Sequence, residues 1–91
     1  MENGTLINQC PKVHHIKEDI DFADSVLYGF KPFEIRKNDR NYSVGDYVIF
    51  HVVDKNKQLI DHPLNNEKFI ITYCTNYDQK ENNIVFGMIK L

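Results

Sequence analysis

Gly29-Phe30-Lys31-Pro32-Phe33-Glu34-Ile35-Arg36-Lys37-Asn38-Asp39-Arg40 is the stretch in which the hydrophobic period of this chain changes. Before it, Ile20, Ala23, Val26 and Leu27 recur at helical spacing. After Gly29, Phe33 and Ile35 alternate with Glu34 and Arg36, as in a half-buried strand. Gly29 stands where a helix stop belongs, because glycine enters the left-handed region cheaply. The stretch therefore reads as a helix end followed by a strand, with Phe33 and Ile35 turned to the core.

Working back from Gly29, residues 19–27 form the one convincing helix, with Asp19 or Asp21 as cap. Phe22 lies off the apolar stripe but can widen it. A helix of about nine residues does not persist alone and must pack on a sheet. Residues 13–17 are a short strand candidate. Residues 1–11 are polar, punctuated by Asn3-Gly4 and Pro11, and read as a flexible leader to a single domain over residues 12–91.

Working forward, residues 38–43 form a polar loop and Val44-Gly45-Asp46 a turn. Residues 47–53, rich in β-branched and aromatic side chains, form a strand. Residues 54–66 read as a long polar connection, with a possible short strand at Leu59-Ile60. Strands over residues 67–77 and 84–91 follow, joined by a turn. One helix cannot cover both faces of a flat five-stranded sheet. The pattern thus predicts an α+β, mainly β domain: a partly closed barrel of about five strands, with one main helix after the first strand.

The chain has 91 residues, a formal charge of −2, six Phe and five Tyr. That suits one globular domain and argues against disorder. The acidic balance argues against electrostatic gripping of a long duplex. A local basic patch would instead favour a single strand, a modified base or a nucleotide. Residues 31–40 supply such a patch: Lys31, Arg36, Lys37 and Arg40 outnumber Glu34 and Asp39 by two. Glu34 and Arg36 share one strand face and can pair there. Arg36 offers a planar fork suited to phosphate or a base edge. Asn38 and Asp39 can fold the next loop through their own side chains. Solvated decoration of an outer strand face is the bland alternative.

Cys10 and Cys74 follow no disulfide framework or metal pattern, and Cys74 reads as a buried thiol in a reducing cytoplasm. His14, His15, His51 and His62 show no ligand spacing, and adjacent His14 and His15 point to opposite faces of a strand, so no metal or cofactor is expected. No apolar run approaches membrane-span length, and the start does not read as a signal peptide.

Residues 13–48 resemble the ASCH-type members of the PUA-like superfamily, and most closely the small bacterial and phage proteins of the DUF3850 group. The resemblance rests on His14-His15-Ile16-Lys17, the helix ending at Gly29, the Lys31/Glu34/Arg36 spacing, Asn38-Asp39-Arg40 and Val44-Gly45-Asp46. Ile16 departs from the leucine of the pattern. The resemblance implies a PUA-like barrel with a cleft that recognises RNA or a nucleotide. It implies that His14, Lys17, Lys31, Glu34, Arg36, Lys37, Asn38 and Arg40 line that cleft, with a structural hydrogen bond within the sheet as the alternative for His14. Tyr42 or Tyr47 could offer a stacking ring, against half-buried core packing as the favoured reading of both. The resemblance also implies an alternative: amidohydrolysis of an N4-acylated cytidine, with Lys31 and Glu34 as the catalytic groups. The related enzymes carry a threonine where this chain has Glu34, which counts against that activity. A third expectation is an accessory protein that binds other proteins and no nucleic acid.

Overall fold

The computed structural model describes residues 10–91. Most of the expected leader, residues 1–9, lies outside the described residues. The chain runs β1 (Val13–Asp19), α1 (Ile20–Leu27), β2 (Phe33–Lys37), β3 (Tyr47–Val53), a 3-10 turn (Pro63–Asn66), β4 (Phe69–Thr75) and β5 (Asn83–Lys90). The strands form one sheet in the order β1-β3-β4-β5-β2, curled into a half-barrel. This is the mainly β architecture, with one helix after the first strand, that the periodicity predicts.

β1 and β3 run parallel over seven residue pairs, from Val13 opposite Tyr47 to Asp19 opposite Val53. The other pairings are antiparallel. The edge strands β1 and β2 approach each other through side chains. Arg36 Nη2 donates to the Lys17 carbonyl at 2.6 Å, and Arg40 Nη1 to the His15 carbonyl at 3.1 Å. Two arginines thus satisfy carbonyls of an edge that would otherwise be open to pairing.

Alternation along the strands builds the core. Ile16 of β1, Val48, Phe50 and Val52 of β3, Phe69 and Ile71 of β4, and Phe86 and Met88 of β5 are all buried. α1 adds Ala23 and Val26, with Ile20 and Leu27 packed at its margin. Asp19 occupies the helix N-cap but makes no capping bond. Its carboxylate accepts instead from Lys57 Nζ at 3.0 Å. Gly29 has φ of 82° and ends the helix as expected. The Lys31 amide turns back to the Ser25 carbonyl at 3.0 Å, which fixes where the next side chains emerge.

The connection after β3 is more ordered than its composition suggests. Leu59 bridges to Val53, and the 3-10 turn buries Leu64. The Asn65 side chain accepts from the Val52 amide at 2.8 Å and donates to the Ile60 carbonyl at 2.9 Å. His62 accepts from the Leu64 amide and meets Asp24 of α1 at 2.8 Å. The helix therefore rests on this turn as well as on the sheet.

The face of β2 reverses the sequence expectation. Glu34 is 2% exposed, whereas Phe33 and Ile35 are 39% and 54% exposed. The register explains it. Glu34 stands opposite Phe86 and Arg36 opposite Ile84, so both must follow the buried face of β5. Hydropathy within five residues could not overrule the neighbouring strand.

Candidate functional site

The inward turn of Glu34 places a carboxylate on the wall of a cleft of about 530 Å³. Three pieces of chain build that wall. β2 supplies Glu34 and Arg36, the α1–β2 connection supplies Lys31, and the end of β1 supplies Lys17, Glu18 and Asp19. Phe22, Phe33, Ile35 and Val53 add an apolar lining, and Lys57 closes one side.

Glu34 organises the charges. Its Oε2 accepts from Lys31 Nζ at 2.7 Å and its Oε1 from Arg36 Nε at 3.1 Å. The same cations stand farther from Glu18, each at 3.6 Å. Glu18 is 5% exposed, and its Oε2 is buried with no hydrogen-bond partner among the described residues. An ionised Glu18 can only accept, whereas a protonated Glu18 has a hydrogen to donate to Glu34. Burial, the hydrogen bond to Glu34 and the charge of Glu34 push Glu18 up to about 8, against the opposing pull of Lys31 and Arg36. Burial and the neighbouring Glu34 thus favour the protonated form of Glu18 within this cluster.

The aromatic rings of the cleft are phenylalanines. Lys31 Nζ lies 5.6 Å from the centre of the Phe22 ring and 5.5 Å from that of Phe33. Both rings are partly exposed, with Phe22 at 48%. An aromatic face beside hydrogen-bonding groups is the equipment for holding a planar polar ring. Tyr42 and Tyr47 do not line this cleft. Tyr42 is buried between His14 and Phe86, with ring centres 4.6 and 4.9 Å away, and burial pushes its hydroxyl up. Tyr47 carries the Lys68 ammonium over its ring at 4.2 Å.

Of the residues singled out in the sequence, Lys17, Lys31, Glu34 and Arg36 meet in the cleft. The other four do not. His14 lies at the far end of β1, buried, where its Nε2 meets Asp46 Oδ2 at 2.9 Å. Asp46 also accepts from the amides of Lys12 and Ser43, so this pair ties β1 to the turn before β3. Lys37 is exposed at the end of β2. Asn38 folds the loop: its Oδ1 accepts from the Tyr42 amide at 3.2 Å. Arg40 holds the β1 edge. His14 and His15 do face opposite ways: the exposed His15 lies 2.9 Å from His51 on the neighbouring strand. Cys74 is half-buried, and burial pushes its thiol up.

Glu18 is the member that sequence reasoning missed. The strand was expected to end at Lys17. Carrying the His14, Ile16 alternation one step further puts Glu18 on the inner face, which was the available signal. Phe22 and Lys57 gave no such signal, since their place depends on the packing of the helix and of the turn after β3.

Among the described residues, no group of three or more His, Cys, Asp or Glu side chains is arranged to hold a metal ion. No described helix is long and apolar enough to cross a membrane. The cations of the cleft can hold an oxyanion, and its neutral acid and carboxylate can serve as donor and acceptor to a polar ring.

Comparison with known proteins gives relatives without an assigned activity. A stretch of 40 residues, 44% of this chain, is 48% identical to an uncharacterized 12.9 kDa protein in the GpA 3′ region of Escherichia phage P2. The match spans 37% of that protein's length. Residues 13–88, nearly the whole described chain, match the family defined as a domain of unknown function, DUF3850. The chain belongs to the DUF3850 family.

Proposed function

We propose that the chain is an RNA- or nucleotide-binding module of PUA-like, ASCH-type kind, and that its cleft takes one base of a single strand together with an adjoining phosphate. The observation that carries this reading is the gathering of Lys31, Arg36, Glu34 and Glu18 in one hollow beside two partly exposed phenylalanine rings. A phosphate oxygen finds donors at Lys31 and Arg36. A base lies against Phe22 or Phe33 and meets the acid pair with its polar edge. The cleft suits a single strand better than a duplex, whose bases are stacked and paired.

The test is binding of a mixed-sequence oligoribonucleotide, followed by fluorescence anisotropy. Phe22→Ala removes a partly exposed ring and should weaken binding by about tenfold, given about 1–3 kcal/mol for one base stacked on an aromatic ring. Arg36→Ala should abolish measurable binding. Because Arg36 also bridges the β1–β2 seam, its circular dichroism spectrum and thermal midpoint must be read alongside. Parent-like binding by both folded variants would refute this reading.

One observation favours a second reading. A lysine 2.7 Å from a carboxylate, beside an acid whose burial favours its protonated form, is the equipment for proton transfer in hydrolysing an N4-acylated cytidine. Glu34 stands where the related enzymes have threonine, so the attacking group is missing. Release of free acid from N4-acylcytidine, measured against Lys31→Ala, decides between turnover and plain binding. Capture of a partner protein with no affinity for RNA would favour an accessory role.

A further inference from the structure

Binding by Lys31 and Arg36 leaves the most unusual group of the cleft unexplained. Glu18 is a buried acid that a purely structural site would replace with glutamine or an apolar residue at lower cost. We propose that the cleft binds an oxyanion of the phosphodiester class against Lys31 and Arg36, and that Glu18 takes up a proton as the anion enters. This rests on the cleft being the nucleotide site, and it names the anion class and the proton that site requires.

The geometry supplies the coupling. Glu34 and Arg36 of β2 and Lys31 of the α1–β2 connection face Glu18. Its partner on β3 is Val52, which is apolar, and Val53 beside it lines the cleft. Lys57 approaches from the turn after β3, held by Asp19. Lys17 completes the charged lining. With Glu18 neutral, Lys17, Lys31, Arg36 and Lys57 exceed Asp19 and Glu34 by two positive charges. Ionising Glu18 halves that excess.

It does so at the worst place. Glu18 Oε2 lies 3.6 Å from Lys31 Nζ, and Oε1 lies 3.6 Å from Arg36 Nη2. An anion held by Lys31 and Arg36 draws on the same two cations. An ionised Glu18 and a bound oxyanion therefore compete for the same donors, so each disfavours the other. By reciprocity, an anion that binds the protonated form better must raise the proton affinity of Glu18. Lys31 has three ammonium protons and gives one to Glu34 Oε2, so it has capacity for a ligand.

The probe is inorganic sulfate, which does not titrate near neutrality. Among the described residues no histidine lines the cleft, so a group titrating there between pH 6.5 and 9 is assigned to the Glu18–Glu34 pair, and Glu18→Gln identifies the member. Three measurements use the full chain. Carbon-13 NMR of the glutamate carboxyls without ligand should show one group titrating well above the ordinary carboxylate range, absent in Glu18→Gln. Calorimetry with sulfate at pH 8.5, in two buffers of different ionisation enthalpy, should show uptake of a fraction of a proton. Sulfate affinity should fall about threefold or more between pH 6.5 and 9, within a ceiling of about tenfold per pH unit. Glu18→Gln should take up no proton and lose the pH slope.

A Glu18 carboxyl titrating in the ordinary range overturns the proposal. So does sulfate affinity independent of pH, or no sulfate binding at all. Proton-linked sulfate binding without oligoribonucleotide binding would sink the nucleotide reading and overturn the phosphodiester class named here, while sustaining the coupling between an anion at Lys31 and Arg36 and a proton on Glu18. Oligoribonucleotide binding with pH-independent sulfate affinity would do the reverse.

Discussion

Glu34 holds two cations with two oxygens from a position that excludes water almost fully. Removing it leaves Lys31 and Arg36, each about a quarter exposed along the side chain, without their carboxylate. Breaking a buried ion pair from one side is costly because the remaining charge is stranded. The partial exposure of the cations reduces that cost. Glu34→Ala should therefore lower stability by about 2–4 kcal/mol in urea unfolding. A loss below half a kcal/mol would mean that the cluster is solvated decoration, the bland alternative raised by the sequence. That Glu34 and Arg36 share a face was legible in the sequence, since residues two apart on a strand do so, whereas Lys31 reaches them from the α1–β2 connection. Their depth was not, because nothing within the segment reports what lies across from it.

β2 is the element on which local and tertiary signals disagree. Phe33 and Ile35 look like the core face of an amphipathic strand, and the opposite face is buried. The cross-strand register with β5 decides, because a shift of one residue would exchange every side chain between the faces. The reversal predicts that Ile35→Thr changes stability by less than about 0.5 kcal/mol, as an exposed substitution does. Val52→Ala, on the buried face of β3, should cost about 2 kcal/mol. Paired thermal or urea unfolding of the two variants checks this, and a larger loss at Ile35 than at Val52 would contradict the register. Elsewhere the element reading needed less correction. Residues 47–53 were expected as a strand and β3 occupies those residues. The helix stop at Gly29 coincides with a positive φ. The 3-10 turn at Pro63–Asn66 was not legible, because its polar residues fold through side-chain bonds to β3 rather than through a periodic pattern.

At the scale of the whole molecule, the buried acid adds a pH dependence to stability. Glu18 is raised from 4.5 to about 8, so the folded chain holds a proton there more tightly than the unfolded chain. Its contribution is fully present below about pH 4.5 and is lost as pH rises through about 8. The chain should therefore become less stable between pH 5 and 9 by more than its Glu18→Gln variant does. Urea midpoints at pH 5, 7 and 9 test the sign, and parallel slopes for the two proteins would contradict it. The sequence by itself determined a mainly β domain, the helix after the first strand, its glycine stop and the clustering of charge at residues 31–40. These follow from periodicity and backbone preference, which act over a few neighbouring residues. Only the tertiary structure decided that the charged face of β2 turns inward, that Glu18 joins it from β1, and that His14 and Arg40 hold the fold together instead of lining the cleft. Those outcomes depend on which strands pair and in what register, an energy summed over the closed sheet and carried by no single segment.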